Sequence, residues 1–344
     1  MKERMIMTHP AQTKTIAHPI NTAAHSMDQL LWWVIGISLL LAVSVGSTVQ
    51  AQPVPMAKTQ AAGFYRMMVG NFELTAFSDG TSPKDIAAIM SDPAKVRSEF
   101  KKMNLAMPYQ SSYNVYLVHT GKELVMIDTG RGGDNGQLLK NLSKSGYAPS
   151  QIDAILITHM HGDHVGGLSL AGKRQFPNAV VYASQSEADF WLHTKLEDYE
   201  NPHWAGNAKR ARANVNPYVQ AGMFKTFDGP TQLFDGIQSL PTHGHTPGHS
   251  AYLMTSQDRS VLFIGDTIHC AEVQFPHPSL TIAYDVKPDH AKAMRVTLFK
   301  TASEKGHIIA GPHISFPGLG HLSQQGEGFR WVPVQYQYQV QASE

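Results

Sequence analysis

The sequence predicts an α/β protein in which two β-rich halves are sandwiched between helices. Short apolar strands and helical segments alternate along the chain, and strands and helices follow each other again in the second half. Histidine and aspartate residues come directly after several of these strands. The chemistry of the protein is therefore expected at strand ends.

The first half of the chain should contain both kinds of element. Its predicted strands are short and rich in apolar residues, and they lie at residues 72–77, 115–118, 124–127, 152–157 and 180–182. Its predicted helices lie at residues 83–106 (in two pieces), 138–145 and 186–196. A turn signal at Ser78, Asp79 and Gly80 should end the first strand. Pro93 should start the second of the two helical pieces.

The second half repeats this arrangement after a polar segment, residues 198–222, to which no element is assigned. Its predicted strands lie at residues 224–227, 238–240, 251–254, 261–264 and 308–310. A helix is expected over 289–303, with Pro288 suited to its start. The tail from Phe329 to Val340 partly alternates, which favours an edge strand, where Pro333 is tolerated.

The composition indicates a globular protein whose net charge is too small to attract polyanions such as nucleic acids. The chain has 344 residues, 42% of them hydrophobic, and a formal net charge of +1. This balance argues against disorder and against nucleic acid as a partner. A single cysteine, Cys270, excludes an intrachain disulfide and a cysteine-based zinc site, and we expect it to be buried and inert. The 18 histidines matter if they cluster, because histidine is the commonest metal ligand.

The N-terminal segment is expected to lie outside the fold. Residues 30–50 carry no charge, and Val49 and Ala51 are small residues at positions that a signal peptidase reads. Residues 1–51 are therefore interpreted as a signal peptide, which predicts an exported protein, periplasmic or secreted. The alternative is a membrane anchor formed by residues 30–50. Residues 52–63 should be a flexible leader, and the folded domain is expected over residues 64–344.

The strongest chemical signal is a cluster of ligand-type residues behind the apolar strand at 152–157. His159 and His161 are two positions apart, so both imidazoles can face one cation from extended backbone. Gly162 permits a sharp turn, after which Asp163 and His164 can face a second cation. Four such residues within six positions predict a site for two metal ions.

Two ions need more ligands than this cluster provides, and three further candidates lie beside strand ends. His249 follows Thr246, Pro247 and Gly248 before a strand. Asp266 ends an apolar strand, where a carboxylate could bridge two ions, and His313 follows the strand at 308–310.

These motifs resemble those of the metallo-β-lactamase superfamily. The pattern His-x-His-x-Asp-His, then Thr-Pro-Gly-His and Gly-Asp-Thr, preceded by Ile-Asp-Thr-Gly, extends over the chain from about Phe64 to the C-terminus. The resemblance implies an αββα sandwich with the site at one edge. It also implies a set of roles: one metal on His159, His161 and His249, the other on Asp163, His164 and His313, with Asp266 bridging and Asp128 orienting a ligand.

Other histidines remain alternatives for these positions. His245 lies close to His249 and could replace it as a ligand, and His321 competes with His313 in the same way. His269 follows Asp266 by three positions and is interpreted as a structural residue or as support for a ligand.

The predicted cofactors are two divalent metal ions. A histidine-rich ligand set favours Zn²⁺, and Co²⁺, Mn²⁺ or Fe²⁺ would also be accepted. Two ions can share a hydroxide as nucleophile and polarise the scissile carbonyl or phosphoryl group, with Asp163 and Asp266 as the catalytic carboxylates. The expected activity is that of a binuclear hydrolase. A metal-stabilised binding protein without catalysis is the alternative from another class.

A narrower resemblance is to the methyl parathion hydrolase family of organophosphate hydrolases and its lactonase and arylesterase relatives. It is carried by segments at residues 63–67, 72–80, 158–168, 187–191, 216–219, 243–249, 273–275 and 316–322. It implies that Trp191 lines the substrate pocket and that the protein is a homodimer.

The chain departs from this family in the loop at 131–136 and in the Lys- and Arg-rich segment 207–213, where phenylalanines of the family are missing. We therefore expect hydrolysis of lactones or aryl esters, with promiscuous turnover of organophosphate triesters. An acyl-homoserine lactonase acting in quorum quenching and a dedicated methyl-parathion-type phosphotriesterase are the alternatives.

Overall fold

The chain divides into two units, Met1–Thr59 and Gln60–Glu344. A computed structural model describes residues 53–340, so that only residues 53–59 of the first unit are described, and they carry no helix or strand. The predicted signal peptide at 1–51 and the alternative anchor at 30–50 lie outside the described residues. None of the helices found between residues 53 and 340 has the length and apolar character needed to cross a bilayer.

Two seven-stranded sheets form the centre of the second unit. The first sheet has the order β1-β2-β3-β4-β5-β8-β9, with strands Phe64–Val69, Phe72–Lys84, Tyr109–His119, Leu124–Ile127, Ala154–Leu156, Val180–Ser184 and Phe224–Phe227. The second runs in sequence order from β10 to β16, with strands Gln232–Phe234, Ile237–Pro241, Ser250–Ser256, Arg259–Phe263, Ile308–Ala310, Leu319–Gln325 and Gly328–Pro333. A small hairpin, β6 (Ser169–Leu170) and β7 (Lys173–Arg174), stands apart from both.

α-Helices occur between the strands in both halves of the chain. They are α1 Ile86–Ile89, α2 Pro93–Lys102, α3 Leu138–Lys144, α4 Gly162–Val165, α5 Gln185–Ala188, α6 Pro202–Gln220, α7 Ala271–Gln274 and α8 Pro288–Lys305. Buried residues of α3 and α6 pack on the outer face of the first sheet, and those of α8 pack on the second.

The inner faces of the two sheets pack directly on each other. Leu74 and Val125 of the first sheet belong to the same buried cluster as Tyr252 and Val261 of the second. Burial of apolar side chains on both faces of each sheet is the main stabilising contribution to such a layered fold. The predicted αββα sandwich is confirmed.

The predicted turn at residues 78–80 is wrong. Strand β2 continues from Phe72 to Lys84 with a register shift between Ser78 and Thr81. The reason is the carboxylate of Asp79, which is fully buried and accepts backbone N–H groups of Arg131, Gln137 and Leu138 at 2.6–2.7 Å. Aspartate commonly starts turns, but in this protein the carboxylate of Asp79 fixes the loop that follows β4.

Helix α6 is the largest element that sequence patterning did not predict. Asn201 caps its first turn by accepting the N–H of His203, and Pro202 occupies the first helical position. Its buried residues are spaced by three or four positions and are Ala208, Ala211, Val215 and Tyr218. Small side chains in this stripe and basic residues around it conceal the helical period. The predicted helix at 186–196 is shorter, with α5 followed by one wide turn over Asp189–His193.

The predicted C-terminal edge strand is confirmed for residues 329–333, whereas residues 334–340 carry no strand. Strand β16 is last in the order of its sheet, pairs with β15 from Gly320↔Pro333 to Gln325↔Gly328, and carries Pro333 at its end.

Candidate metal centre

The site lies where neighbouring strands of both sheets end. Asp128 follows β4 and His159 follows β5, and these strands are parallel. Asp266 and His313 follow β13 and β14, which are also parallel. Parallel strands place their carboxyl ends at one edge, so four loops distant in sequence bring their polar side chains together.

The first cluster consists of His159, His161, His245 and Asp266, all buried, with one potential ligand atom from each within 4.8 Å of the others. The Nε2 atoms of His159 and His245 each lie 3.1 Å from Nδ1 of His161. Burial, together with neighbouring imidazolium charge, lowers the pKa of His159 and of His161 well below the ordinary value. Both rings are therefore neutral near pH 7, which is the form that binds a metal ion.

The second cluster consists of Asp163, His164 and His313. The Nε2 atoms of His164 and His313 lie 3.1 and 3.2 Å from Oδ1 of Asp266. These three atoms are buried, and none has a hydrogen-bond partner among the described residues. Buried polar atoms without partners are costly, and three that converge on one point fit a bound cation.

Asp266 stands between the two clusters. Its Oδ2 lies 3.5 Å from Nε2 of His159, and its Oδ1 faces His164 and His313. Burial opposes its ionisation, but the charges of His164 and His313 and of other surrounding imidazoles outweigh it and hold the pKa of Asp266 well below its usual range. A carboxylate that presents one oxygen to each cluster has the placement required of a bridge. Metal binding by these residues stays a prediction.

The structure corrects the expectation for His249. Its Nδ1 lies 2.8 Å from Oγ1 of Thr242, and its Nε2 accepts the backbone N–H of Asp266 at 2.9 Å. Both ring nitrogens are therefore in use, and His249 belongs to neither cluster. His245 supplies a ring nitrogen to the first cluster instead. His249 acts on the site by fixing the backbone of Asp266.

His245 is held from behind by a buried carboxylate. Oδ1 of Asp285 lies 2.8 Å from Nδ1 of His245, which leaves Nε2 facing the cluster. Arg295 is fully buried, has Nη2 3.9 Å from Asp285, and donates to backbone oxygens that include Leu280. Hydrogen bonds of this kind fix the orientation of a ligating imidazole.

Asp128 has the same relation to His164. Its Oδ2 lies 2.8 Å from Nδ1 of His164, and its two oxygens accept the N–H and the hydroxyl of Thr158 at 2.8 and 2.7 Å.

Glu187 joins the two histidine-bearing loops, and sequence reasoning did not assign it a role. Its side chain is fully buried. One oxygen accepts the N–H of Met160 at 2.8 Å and the indole N–H of Trp191 at 2.6 Å. The other accepts the hydroxyl of Thr246 at 2.6 Å and the N–H of Gly248 at 3.0 Å. A single carboxylate thus spans from the loop of His159 and His161 to that of His245. The only sequence signal is its position four residues before Trp191.

A cavity of about 520 Å³ opens above the clusters, and Asp163, Asp266 and His269 line it. Its aromatic walls are Tyr113, Trp204 and Tyr284.

Trp191 is not among the lining residues of this cavity, so its predicted pocket role is corrected. It is fully buried behind His161, with ring centroids 5.4 Å apart. Its indole N–H is occupied by Glu187.

His269, interpreted above as a structural residue or as support for a ligand, also has the placement of a ligand, because its ring groups with Asp266 and His313, with one potential ligand atom from each within 4.8 Å of the others. His269 lines the cavity, with Nε2 3.0 Å from Oδ2 of Asp266 and its ring stacked on that of His313. His321 is exposed on β15, whereas His313 is buried in the second cluster. Cys270 is buried as predicted, and burial raises the pKa of its thiol well above the usual value.

The family model of the metallo-β-lactamase superfamily matches residues 109–313. A solved structure described as the hydrolase AbOPH in the beta-lactamase superfamily is 35% identical, with a TM-score of 0.76, and the match covers 81% of this chain and all of the other. The chain therefore belongs to the metallo-β-lactamase superfamily. Within it, the chain is a metal-dependent hydrolase.

Similar proteins include lactonases. The structure of AidC, a dizinc quorum-quenching lactonase, is 27% identical with a TM-score of 0.72, covering 80% of this chain and 98% of that one. The N-acyl homoserine lactonase AiiA of Bacillus thuringiensis subsp. kurstaki is 26% identical over 181 residues, which is 46% of this chain and 64% of that one. A probable metallo-hydrolase of Mycobacterium tuberculosis is 27% identical over 183 residues, 45% and 56% of the two chains. These matches span 56–64% of the length of the two curated relatives.

Substituting His245 and His249 one at a time distinguishes their roles. His245→Ala should bind about one metal ion fewer than the unaltered protein, because it removes a ring nitrogen from the first cluster. His249→Gln should retain both ions, because a side-chain oxygen can still accept the N–H of Asp266. Metal content is measured by elemental analysis after dialysis. If His249→Gln lost an ion and His245→Ala kept both, the ligand would be His249 and not His245.

Glu187→Gln should destabilise the metal-loaded protein by about 3 kcal/mol, since an amide nitrogen would face two of the four donors and leave them unpaired. Glu304→Gln is the matched control, because Glu304 is 62% exposed and its ion pair with Lys300 is worth less than about 1 kcal/mol. Urea unfolding of both variants provides the comparison. Equal stabilities would show that Glu187 does not hold the loops together.

Proposed function

We propose that this protein is a dinuclear metal-dependent hydrolase that cleaves lactones and aryl esters and, promiscuously, organophosphate triesters. The observation that carries the proposal is the buried carboxylate of Asp266, which presents one oxygen to each histidine cluster at the floor of a cavity. The histidine-rich donor set favours zinc, and cobalt, manganese or iron are acceptable alternatives.

The clusters define the chemistry that each group would contribute. Two divalent ions held there would supply Lewis acidity and would acidify water toward a pKa of about 7. Burial opposes ionisation of Asp163, but nearby imidazoles, foremost His164, lower its pKa to about 2, so it is ionised at neutral pH. Its side chain is 27% exposed toward the cavity, where it can accept a hydrogen bond from the attacking water and orient it. Asp266 and the histidines hold their positions throughout.

The cavity and the relatives both support the proposed substrate class. Tyr113, Trp204 and Tyr284 provide aromatic walls on which an aryl or lactone ring can pack. Similarity to lactonases at 26–27% identity supports a lactone substrate. It also makes an acyl-homoserine lactonase the second candidate, ahead of a dedicated phosphotriesterase.

Two further expectations accompany this proposal. Export rests on the sequence of residues 1–51, and a homodimer rests on the family resemblance.

The proposed function is tested by measuring hydrolysis with one preparation of defined metal content. The substrates are dihydrocoumarin, phenyl acetate, an acyl-homoserine lactone and methyl paraoxon. We expect dihydrocoumarin and phenyl acetate to give the highest kcat/KM and methyl paraoxon the lowest. The acyl-homoserine lactone ranking first would select the second candidate.

The binding-protein alternative is tested with His161→Ala. In a hydrolase this variant should lose at least about 100-fold in kcat/KM with its fold intact by circular dichroism, because an ion essential for the reaction is misplaced. No turnover of any of the four substrates by a protein with both ions bound would refute the proposed function.

A further inference from the structure

The cavity above the metal clusters carries three basic side chains on its wall. They are Lys84 at the end of β2, Arg131 in the loop after β4, and Arg210 on α6. The acidic residues that line this cavity are Asp163 and Asp266, and both face the proposed ions. With divalent ions in place, the cavity is therefore strongly positive.

Lys84 is held in the cavity by two aromatic rings. Its Nζ lies 5.6 Å from the ring centroid of Tyr113 and 5.3 Å from that of Tyr284. Burial opposes its charge, but the neighbouring Tyr113, Tyr284 and Asp163 outweigh that effect and raise the pKa of Lys84. A cation restrained in this way has already lost much of the freedom that binding an anion would otherwise cost.

Arg131 is fixed beside Lys84 on the same wall. Its guanidinium carbon lies 4.4 Å from the ring centroid of Tyr113, and Nη2 donates to the backbone oxygens of Asp79 and Asn135. Its Nε is buried and has no hydrogen-bond partner among the described residues.

Arg210 approaches from the helical side of the cavity. Its Nη2 donates to Asn207, and its Nε lies 3.5 Å from the point where a Cβ on Gly162 would stand. Arg210 therefore lies over the turn that carries Asp163. Across residues 53–340, no ion pair joins Lys84, Arg131 or Arg210 to a carboxylate.

We infer that the substrate carries an anionic group, a carboxylate, sulfonate or phosphate, in addition to the bond that is cleaved. This inference rests on the proposed hydrolase function and narrows it to anionic esters or lactones. Lys84 and Arg131 share the wall formed by Tyr113, and Arg210 lines the same cavity from helix α6, so each offers the anion a positive charge. A positive cavity of this kind concentrates anions and strengthens charge-assisted hydrogen bonds to them.

A matched pair of esters tests the inference. The probes are 4-sulfophenyl acetate, which is anionic, and 4-(methylsulfonyl)phenyl acetate, its neutral counterpart of similar size. In the metal-loaded protein, kcat/KM for the anionic ester should exceed kcat/KM for the neutral ester by about tenfold. Raising NaCl to about 0.5 M should reduce this difference, because salt screens the attraction between the anion and the basic side chains.

Variants localise the effect. Lys84→Met and Arg210→Met should each reduce the anionic-to-neutral ratio of kcat/KM by about three- to tenfold. Lys209→Met is the matched control, because Lys209 is exposed on the same helix as Arg210 and does not line the cavity. Its ratio should equal that of the unaltered protein.

The outcomes distinguish this inference from the proposed function. Equal or faster hydrolysis of the neutral ester, with no change of the ratio in Lys84→Met and Arg210→Met, would overturn the anion inference and leave the hydrolase standing. If neither ester is hydrolysed, calorimetry with benzenesulfonate and methyl phenyl sulfone decides. Tighter binding of benzenesulfonate that is weakened in both variants supports the anion site, and equal binding refutes it.

Discussion

The carboxylate of Asp266 is the charge on which the arrangement of the site depends. It is 2% exposed, and burying an anion costs several kcal/mol unless partners compensate it. Its compensation comes from ring nitrogens within 3.5 Å, which belong to His159, His164, His245, His269 and His313. These histidines follow strands of both sheets, so one buried charge connects the two halves of the sandwich at their common edge.

Three other buried carboxylates extend the same principle outward. Asp128 orients His164, Asp285 orients His245, and Glu187 ties together the loops that carry the first cluster. Each of them accepts donors from the loops that carry the ligands, so the ligand atoms are placed before any ion binds. Such preorganisation is what a catalytic metal site requires, because the free energy of ordering the ligands is supplied by folding.

Local sequence patterns were sufficient to predict those site residues that follow closely after a strand. The cluster from His159 to His164 follows one strand, and Asp266 and His313 also follow strands, so their placement could be predicted from the sequence. His245 and His249 flank one short turn, and which of them faces the cluster depends on Asp285, forty residues away. Glu187 and helix α6 were missed because long-range hydrogen bonds and small buried residues leave no strong periodic signal.

The central claim is that Asp266 lies between two bound metal ions. X-ray diffraction from crystals of the metal-loaded protein tests it most directly, with data recorded on both sides of the zinc absorption edge. Two anomalous peaks about 3.5–4 Å apart are expected, with one oxygen of Asp266 directed at each. One peak should lie about 2.0–2.1 Å from ring nitrogens of His159, His161 and His245, and the other at the same distance from those of His164 and His313. A single peak, or an ion coordinated by His249, would contradict this expectation.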